Sequence, residues 1–336
     1  LQSGMRKLPE KPAVDAAAPD DEAVAAPGFH GTLRGYQRLG VAWLDRMLRE
    51  NFNPVLADEM GLGKTVQTLA LLAIRRATGG DRLPDLVVCP TSLVENWLQE
   101  AARFLPELRT LALRGAQRER LWPSVPEMDL VVTSYTLVRR DLPHYQQLQF
   151  RHLVLDEAQH IKNPDTANAR SCKAIPARHC LVLTGTPLEN RPEELWAIFD
   201  FLQPGLLGSR AGFQRRYGEL SDQPERRAEL AAITGPLILR RRKTEVARDL
   251  PPKIEQVVYC EMDEAQQALY DDLLASGRDQ CRQLLGAAGG NRRFEVLTAL
   301  LRLRQLCCHP RLLPRELLPP GSEPGSAKTE LLQELL

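Results

Sequence analysis

No apolar run in the chain approaches the roughly 20 residues that a membrane helix requires; stretches such as LALLAI, Leu69 to Ile74, are far shorter. No signal peptide opens it either, so a soluble protein without a membrane partner is expected. Charge of one sign is missing as well. Lys and Arg total 44 against 43 for Asp and Glu, a formal net charge of +1, so no global basic field advertises a polyanion and any nucleic-acid surface must be local. The seven cysteines are odd in number and scattered, with no C-x-x-C pair. That pattern excludes a disulfide framework and a zinc cluster and points to a reducing, intracellular compartment. Cys307, Cys308 and His309 are consecutive, and consecutive ligands lack the spacing of a tetrahedral site.

What is present is a globular composition and a length of 336 residues, enough for roughly two domains of about 150 residues each. Pro9 to Gly28 mix Ala, Pro and acids with almost no large apolar side chain, and read as a linker that cannot bury enough surface to order itself. The LQSG ahead of Met5 reads as an expression scar. From His30 onward NPVLAD, DLVVCP, DLVVTS, HLVLDE and CLVLTG each hold a few consecutive apolar residues between polar or Pro/Gly punctuation. Such short, continuous apolarity suits parallel strands covered on both faces. The segments between them, such as Thr65 to Thr78 and Ser92 to Leu105, carry apolar residues at helical spacing. Strand and helix alternate, which predicts an α/β layered fold, a mostly parallel sheet flanked by helices, with ligands bound at the carboxyl ends of the strands. After about Leu206 the chain turns to Arg- and Leu-rich helical stretches. PPKIEQVVYCEM, Pro251 to Met262, is predicted as one further strand, and GAAGGN (Gly286 to Asn291) and LLPPGSEPGSA (Leu317 to Ala327) as breaks.

Three strand ends carry chemistry. VLADEMGLGKT, Val55 to Thr65, ends as a phosphate-binding loop does, although the usual first glycine, six residues before Lys64, is Asp58. Backbone N–H groups at a helix start hold phosphate, Gly61 and Gly63 let the backbone approach, Lys64 supplies a cation and Thr65 a hydroxyl for Mg²⁺. Alone, the loop also reads as a plain strand-to-helix turn. HLVLDEAQH delivers Asp156 and Glu157 at a strand end. Alone, such a pair is a solvated terminus; on the same sheet as a phosphate loop, Asp156 reads as a Mg²⁺ ligand and Glu157 as the group that activates water. LVLTGTPLEN, Leu181 to Asn190, places Thr184 and Thr186 where they would sense hydrolysis, or simply form a turn.

DEMGLGKT, DEAQ and TGTP, in that order and spacing, resemble motifs I, II and III of superfamily-two helicases, and specifically the SWI/SNF-type ATPases related to chromatin remodellers and bacterial RNA-polymerase recycling factors. The resemblance extends over LRGYQRLGVAWL (Leu33 to Leu44), VVCPTSLVENW (Val87 to Trp97), VVTSYTLV (Val131 to Val138), LILRRRKTEVARDLPPK (Leu237 to Lys253) and LRLRQLCCHP (Leu301 to Pro310). It implies a RecA-like P-loop fold with family-specific helical projections. It also implies ATP and Mg²⁺ as cofactors, held by Gln37 on the base and by Asp58, Gly61, Leu62, Gly63, Lys64 and Thr65 on the phosphates. In this family the loop opens with Asp, so Asp58 is a subfamily signature. Thr91, Ser92, Thr133 and Ser134 correspond to residues on a nucleic-acid backbone, giving sequence-independent binding of double-stranded DNA. Gln159 stands where His is common and would hydrogen-bond toward Thr184 and Thr186, coupling the sites; Glu189 stands where an uncharged amide is usual.

The domains expected on this basis are a linker or tag-bearing segment at 1–28, a first RecA-like lobe at 29–262 with a helical projection near 206–236, a helical projection and linker at 263–325, and the start of a second RecA-like lobe at 326–336. The second lobe, a partner in the same protein, carries the arginine finger, worth about 10³ to 10⁵ in rate in comparable systems, so slow hydrolysis by this chain alone is expected. An RNA-directed or RNA-polymerase-associated ATPase, and a nucleotide-binding scaffold without catalysis, are the alternatives. The expected location is the bacterial cytoplasm and nucleoid, or the nucleus of a eukaryote. Arg240 to Lys243 read either as a nucleic-acid patch or as an anchor for the helical projection. Trp97 and Trp196 read as core residues.

Overall fold

The computed structural model describes residues 26–78, 80, 82–185, 192–218, 223–246, 256–285, 292–319 and 325–336. The chain divides into two compact units, Leu1–Pro251 and Pro252–Leu336.

The first unit is built on strands β1 (Val55–Leu56), β2 (Asp85–Cys89), β3 (Thr110–Ala112), β4 (Leu130–Ser134), β5 (Phe150–Leu155), β6 (Ala177–Leu183) and β7 (Ile238–Leu239). They form one sheet in the order β3-β4-β2-β5-β6-β1-β7, parallel throughout. Every residue of β2, β4 and β5 is buried, which is why these strands show as unbroken apolar runs and not as alternation. Register aligns Thr133, Val88, Leu155, Val182, Val55 and Ile238 in one row across the sheet. The polar residues that follow each run therefore emerge along a single edge.

Helices α1 (Gly35–Arg49), α2 (Lys64–Thr78), α3 (Val94–Phe104), α4 (Tyr135–Arg140), α5 (Leu142–Gln146), α6 (Ala167–Lys173) and α7 (Pro192–Leu202) connect and cover the strands, followed by α8 (Arg210–Tyr217), α9 (Pro224–Thr234) and α10 (Lys243–Val246). Their apolar spacing decides their orientation: α1 buries Val41, Leu44 and Leu48, and α3 buries Val94, Trp97 and Ala101, positions that share one helix face. The valines and leucines among these each contribute about 1.5–3 kcal/mol when fully buried.

In the second unit α11 (Glu264–Leu285) packs on α12 (Arg292–Cys308), and α13 (Ala327–Leu335) follows. Gln266, nearly fully buried, ties them together: its Nε2 donates to Leu306 O at 2.7 Å and its Oε1 accepts from Ala327 N at 3.4 Å.

Five strands lie where the apolar runs predict them. β3 and β7, the two edge strands of the sheet, were not anticipated. The strand expected over Pro251 to Met262 is a correction. Residues 251–255 lie outside those described, and 256–262 form no strand, leaving Val257 and Tyr259 exposed at 74% and 89%. A strand exists only with a partner to take its N–H and C=O groups, and none of the described residues pairs with this segment.

Candidate functional site

After β1 the chain turns sharply at Gly61 (φ +84°) and Gly63 (φ +78°) before α2 begins at Lys64. Left-handed backbone is open to glycine at little cost, and a Cβ on Gly63 would meet Gln37 Nε2 at 2.5 Å. Leu62, between them, is buried. The Lys64 side chain folds back over the loop, Nζ donating to Asp58 O at 2.9 Å, and Thr65 follows half-buried on the first turn of α2. Gln37 bridges α1 and the loop: its Oε1 caps the helix by accepting from Arg34 N at 2.8 Å, and its Nε2 donates to Leu62 O at 3.2 Å. Tyr36 also donates its hydroxyl to Leu62 O at 3.2 Å.

Asp58 is completely buried, and its partner is Arg241, itself 4% exposed. The guanidinium donates to both carboxylate oxygens, with Nε at 2.9 Å from Oδ1, and Nη2 also reaches Gln67 Oε1 at 2.7 Å. Gln67 Nε2 donates to Asp58 Oδ2 at 3.1 Å. Arg241 closes the arrangement by donating to Tyr36 O and lying 5.3 Å from the Tyr36 ring centroid. The acid at the head of the loop is thus a structural anion, clamped by an arginine two residues beyond β7. Arg241 is thus committed to Asp58, Gln67 and Tyr36: it holds the loop, which neither reading of the basic segment foresaw.

The two acids stand at the end of β5, with β6 between them and β1. Asp156 is buried; its Oδ2 accepts from Trp97 Nε1 at 2.9 Å and its Oδ1 from Glu157 N at 2.9 Å. Tyr135 donates its hydroxyl to Asp156 O at 2.7 Å. Burial raises the Asp156 carboxyl above its ordinary range, opposed by the Trp97 hydrogen bond and the charge of Lys64. Glu157 adopts φ +51°, ψ +57°, a left-handed conformation that costs a non-glycine residue about 1–2 kcal/mol. Strain of this kind persists where the surroundings over-determine it, commonly at functional sites. Thr184, fully buried, directly follows β6, and a Cβ on the next residue, Gly185, would lie 3.5 Å from Lys64 Nζ. Lys64 therefore faces the space between β1 and β6.

Other residues singled out by sequence fare differently. Thr91 and Ser92 are exposed in a short 3₁₀ turn after β2, accessible to a ligand. Thr133 and Ser134 are corrected: both are buried in β4, and the Thr133 hydroxyl donates to Leu113 O at 3.1 Å, so it is committed inside the sheet. Gln159 is half-buried with Oε1 enclosed and without a hydrogen-bond partner among the described residues. Thr186 and Glu189 lie outside the described residues. Trp97 is core, as expected, and also a donor to Asp156; a buried indole N–H needs an acceptor, but the acceptor follows from β2 and β5 being neighbours. Trp196 is half-buried, its Nε1 donating to Gly208 O at 3.2 Å. Tyr36, and the partner of Arg241, were missed for the same reason as the second role of Trp97: the groups that meet are distant in sequence.

A parallel sheet with a glycine loop and lysine at β1 and paired acids at β5 defines a RecA-like fold. The chain matches the SNF2-related domain over residues 36–312 and belongs to that family. It is 36% identical over its whole length to YwqA of Bacillus subtilis, provisionally named an ATP-dependent helicase/translocase, and 37% identical over 84% of its length to the helicase swr1 of Schizosaccharomyces pombe. It spans only 36% and 24% of those two proteins. Among solved structures it resembles the Sulfolobus solfataricus SWI2/SNF2 ATPase core in complex with double-stranded DNA, with a TM-score of 0.65, 34% identity, and coverage of 93% of this chain and 65% of that one.

Proposed function

We propose that this chain is the first motor lobe, with its helical projections, of an ATP-dependent translocase on double-stranded DNA of the SWI/SNF type. The observation that carries the reading is the convergence on one sheet edge of Lys64 over the β1 loop and of Asp156 and Glu157 at β5, with Gly185, just beyond β6, beside the Lys64 ammonium. On this reading residues 29–262 are the lobe, including a projection near 206–236, residues 263–325 a further projection and linker, and 326–336 the start of a second lobe.

In this mechanism the loop N–H groups of Gly61, Leu62 and Gly63 and the Lys64 ammonium bind the ATP phosphates. Gln37, on the loop's flank, would contact the base. Asp58 acts through Arg241 and Gln67 to fix the loop's shape. Thr65 and Asp156 are the residues that would hold Mg²⁺. Hydroxyl and carboxylate oxygens suit a hard cation, and each Asp156 oxygen accepts a single protein hydrogen bond, leaving capacity for a further partner. The ion, when bound, neutralises charge on the phosphates. Glu157 orients a water and takes its proton, its left-handed backbone turning it off the strand direction. Gln159, Thr184 and Thr186 report the state of the phosphates to the rest of the motor. Thr91 and Ser92 contact the DNA backbone without reading sequence; the duplex in the Sulfolobus complex supports DNA over RNA. A second RecA-like lobe supplies the arginine finger, and cycles of lobe closure step the motor along the duplex.

The test is steady-state ATP hydrolysis by the chain alone and with duplex DNA, single-stranded DNA or RNA, each before and after a second RecA-like lobe is supplied in trans. Hydrolysis that needs both duplex and second lobe is expected. Brisk hydrolysis without either would overturn the split-motor reading, and stimulation by RNA alone would move the protein to the RNA-directed class.

A further inference from the structure

The segment leaving β7 runs beside the phosphate loop as a continuation of the β1–β7 pairing. Ala57 N donates to Leu239 O at 2.7 Å, Glu59 N to Arg241 O at 3.0 Å, and Lys243 N to Glu59 Oε2 at 2.8 Å. This pairing carries Lys243, half-buried, onto the loop itself. A Cβ on Gly61 would lie 3.3 Å from both Lys243 Cε and Nζ. Among the described residues no ion pair holds that ammonium. The Glu59 carboxylate is turned to the Lys243 backbone, while the Lys243 ammonium sits against a loop whose own N–H groups begin the positive end of α2. An anion arriving at the loop would meet Lys64 on its β6 side, where Lys64 Nζ lies near Gly185, and Lys243 on its β7 side.

Resting on the nucleotide-site reading above, we propose that Lys243 is a second cation of that site, binding the polyphosphate of a nucleoside di- or triphosphate from the sheet's β7 edge. Arg241 sets the position of this strap by its grip on Asp58, and Lys243 provides the charge. The basic segment is thus divided: its buried arginine holds the loop in shape, and its lysine serves the ligand.

The experiment is calorimetric titration of the whole chain with ATP, ADP and AMP, in the parent protein and in Lys64→Gln, Lys243→Gln and Lys243→Arg, with melting temperatures measured to show that the variants are folded. A charge-assisted contact to phosphate makes a loss of about tenfold the expected scale. Lys243→Gln should weaken ATP and ADP by that factor and leave AMP unchanged, and Lys243→Arg should recover most of the loss. ATP affinity in Lys243→Gln within twofold of the parent overturns the proposal while leaving the nucleotide site intact, provided Lys64→Gln weakens binding. Equal losses for ATP and AMP, or no recovery by Arg, would make Lys243 a structural residue and overturn it too. Unchanged ATP affinity with weakened duplex-DNA binding would reassign Lys243 to a nucleic-acid phosphate. If the parent binds no nucleotide, the reading of the site falls, and this inference with it.

Discussion

At the residue scale the Trp97 indole is the clearest gain over the sequence. Its N–H is one of two donors on a carboxylate that burial already biases toward protonation. Trp97→Phe keeps the ring and removes the donor, so the Asp156 carboxyl should titrate higher still. On the proposed reading Asp156 serves as the anion, so hydrolysis with duplex and second lobe supplied should fall as pH drops through its pKa, and the acid limb of the rate profile should move to higher pH. The bare buried acceptor should also cost about 1–3 kcal/mol of stability. An unmoved acid limb would show that the indole does not set the charge of Asp156. Glu157 offers a complementary test. Its left-handed backbone suits glycine, so Glu157→Gly should be neutral or stabilising by up to about 1 kcal/mol and Glu157→Val destabilising, with hydrolysis lost in both. Urea unfolding and ATP turnover measured together would check this, and equal stability of the two variants would contradict the strain argument. Lys64, Asp156 and Glu157 were legible as letters because the motif is local. Trp97 and Tyr36 were not, because their partners are set by which strands lie side by side.

At the scale of elements, β2, β4 and β5 were legible because burial on both faces leaves an unbroken apolar run, whereas β7 has two residues and little pattern. Yet β7 determines how the loop is held. The Asp58–Arg241 pair joins the ends of β1 and β7 over 183 residues of sequence, with both side chains almost wholly buried. Removing one partner of a buried pair leaves an uncompensated charge and typically costs 3–5 kcal/mol, while replacing both with apolar groups is far milder. Arg241→Met should therefore destabilise the first unit by about that amount, and Asp58→Leu combined with Arg241→Met should be less destabilised than the sum of the single changes. A double-mutant cycle in urea would measure the coupling, expected to exceed about 1 kcal/mol for residues in one network. Strict additivity would mean that the two ends are held by the strand ladder alone.

Across the whole molecule the two edges of the sheet divide the labour. The carboxyl edge gathers the phosphate loop, the acids and the exposed hydroxyls, all of which the sequence announces through polar residues after apolar runs. The amino edge is also polar, but nothing in the sequence marks it: Asp85 and His152, both nearly fully buried, meet at 2.8 Å, and His152 stacks on His179 with ring centroids 5.6 Å apart. His179 is pushed down to about 4, first by burial and then by the neighbouring His152, Arg75 and Arg178. The sign of its effect on stability follows from this depression. Above the ordinary histidine pKa of about 6.5 neither the folded nor the unfolded chain protonates the ring, and there is no penalty. As pH falls toward 4 the unfolded chain takes up a proton that the folded chain refuses, and stability declines. Asp129, held by Arg109 and Arg76 against the cost of its burial, has its carboxyl lowered below the usual range, so its own loss of stability falls at more acid pH than that of His179, while the raised Asp156 carboxyl acts with the opposite sign and is common to parent and variant. Melting temperature followed from pH 7 to 4.5 should therefore fall less steeply in His179→Gln than in the parent, whatever the substitution does to stability at neutral pH. Identical slopes would place the acid sensitivity elsewhere and leave the amino edge of the sheet without a titrating role.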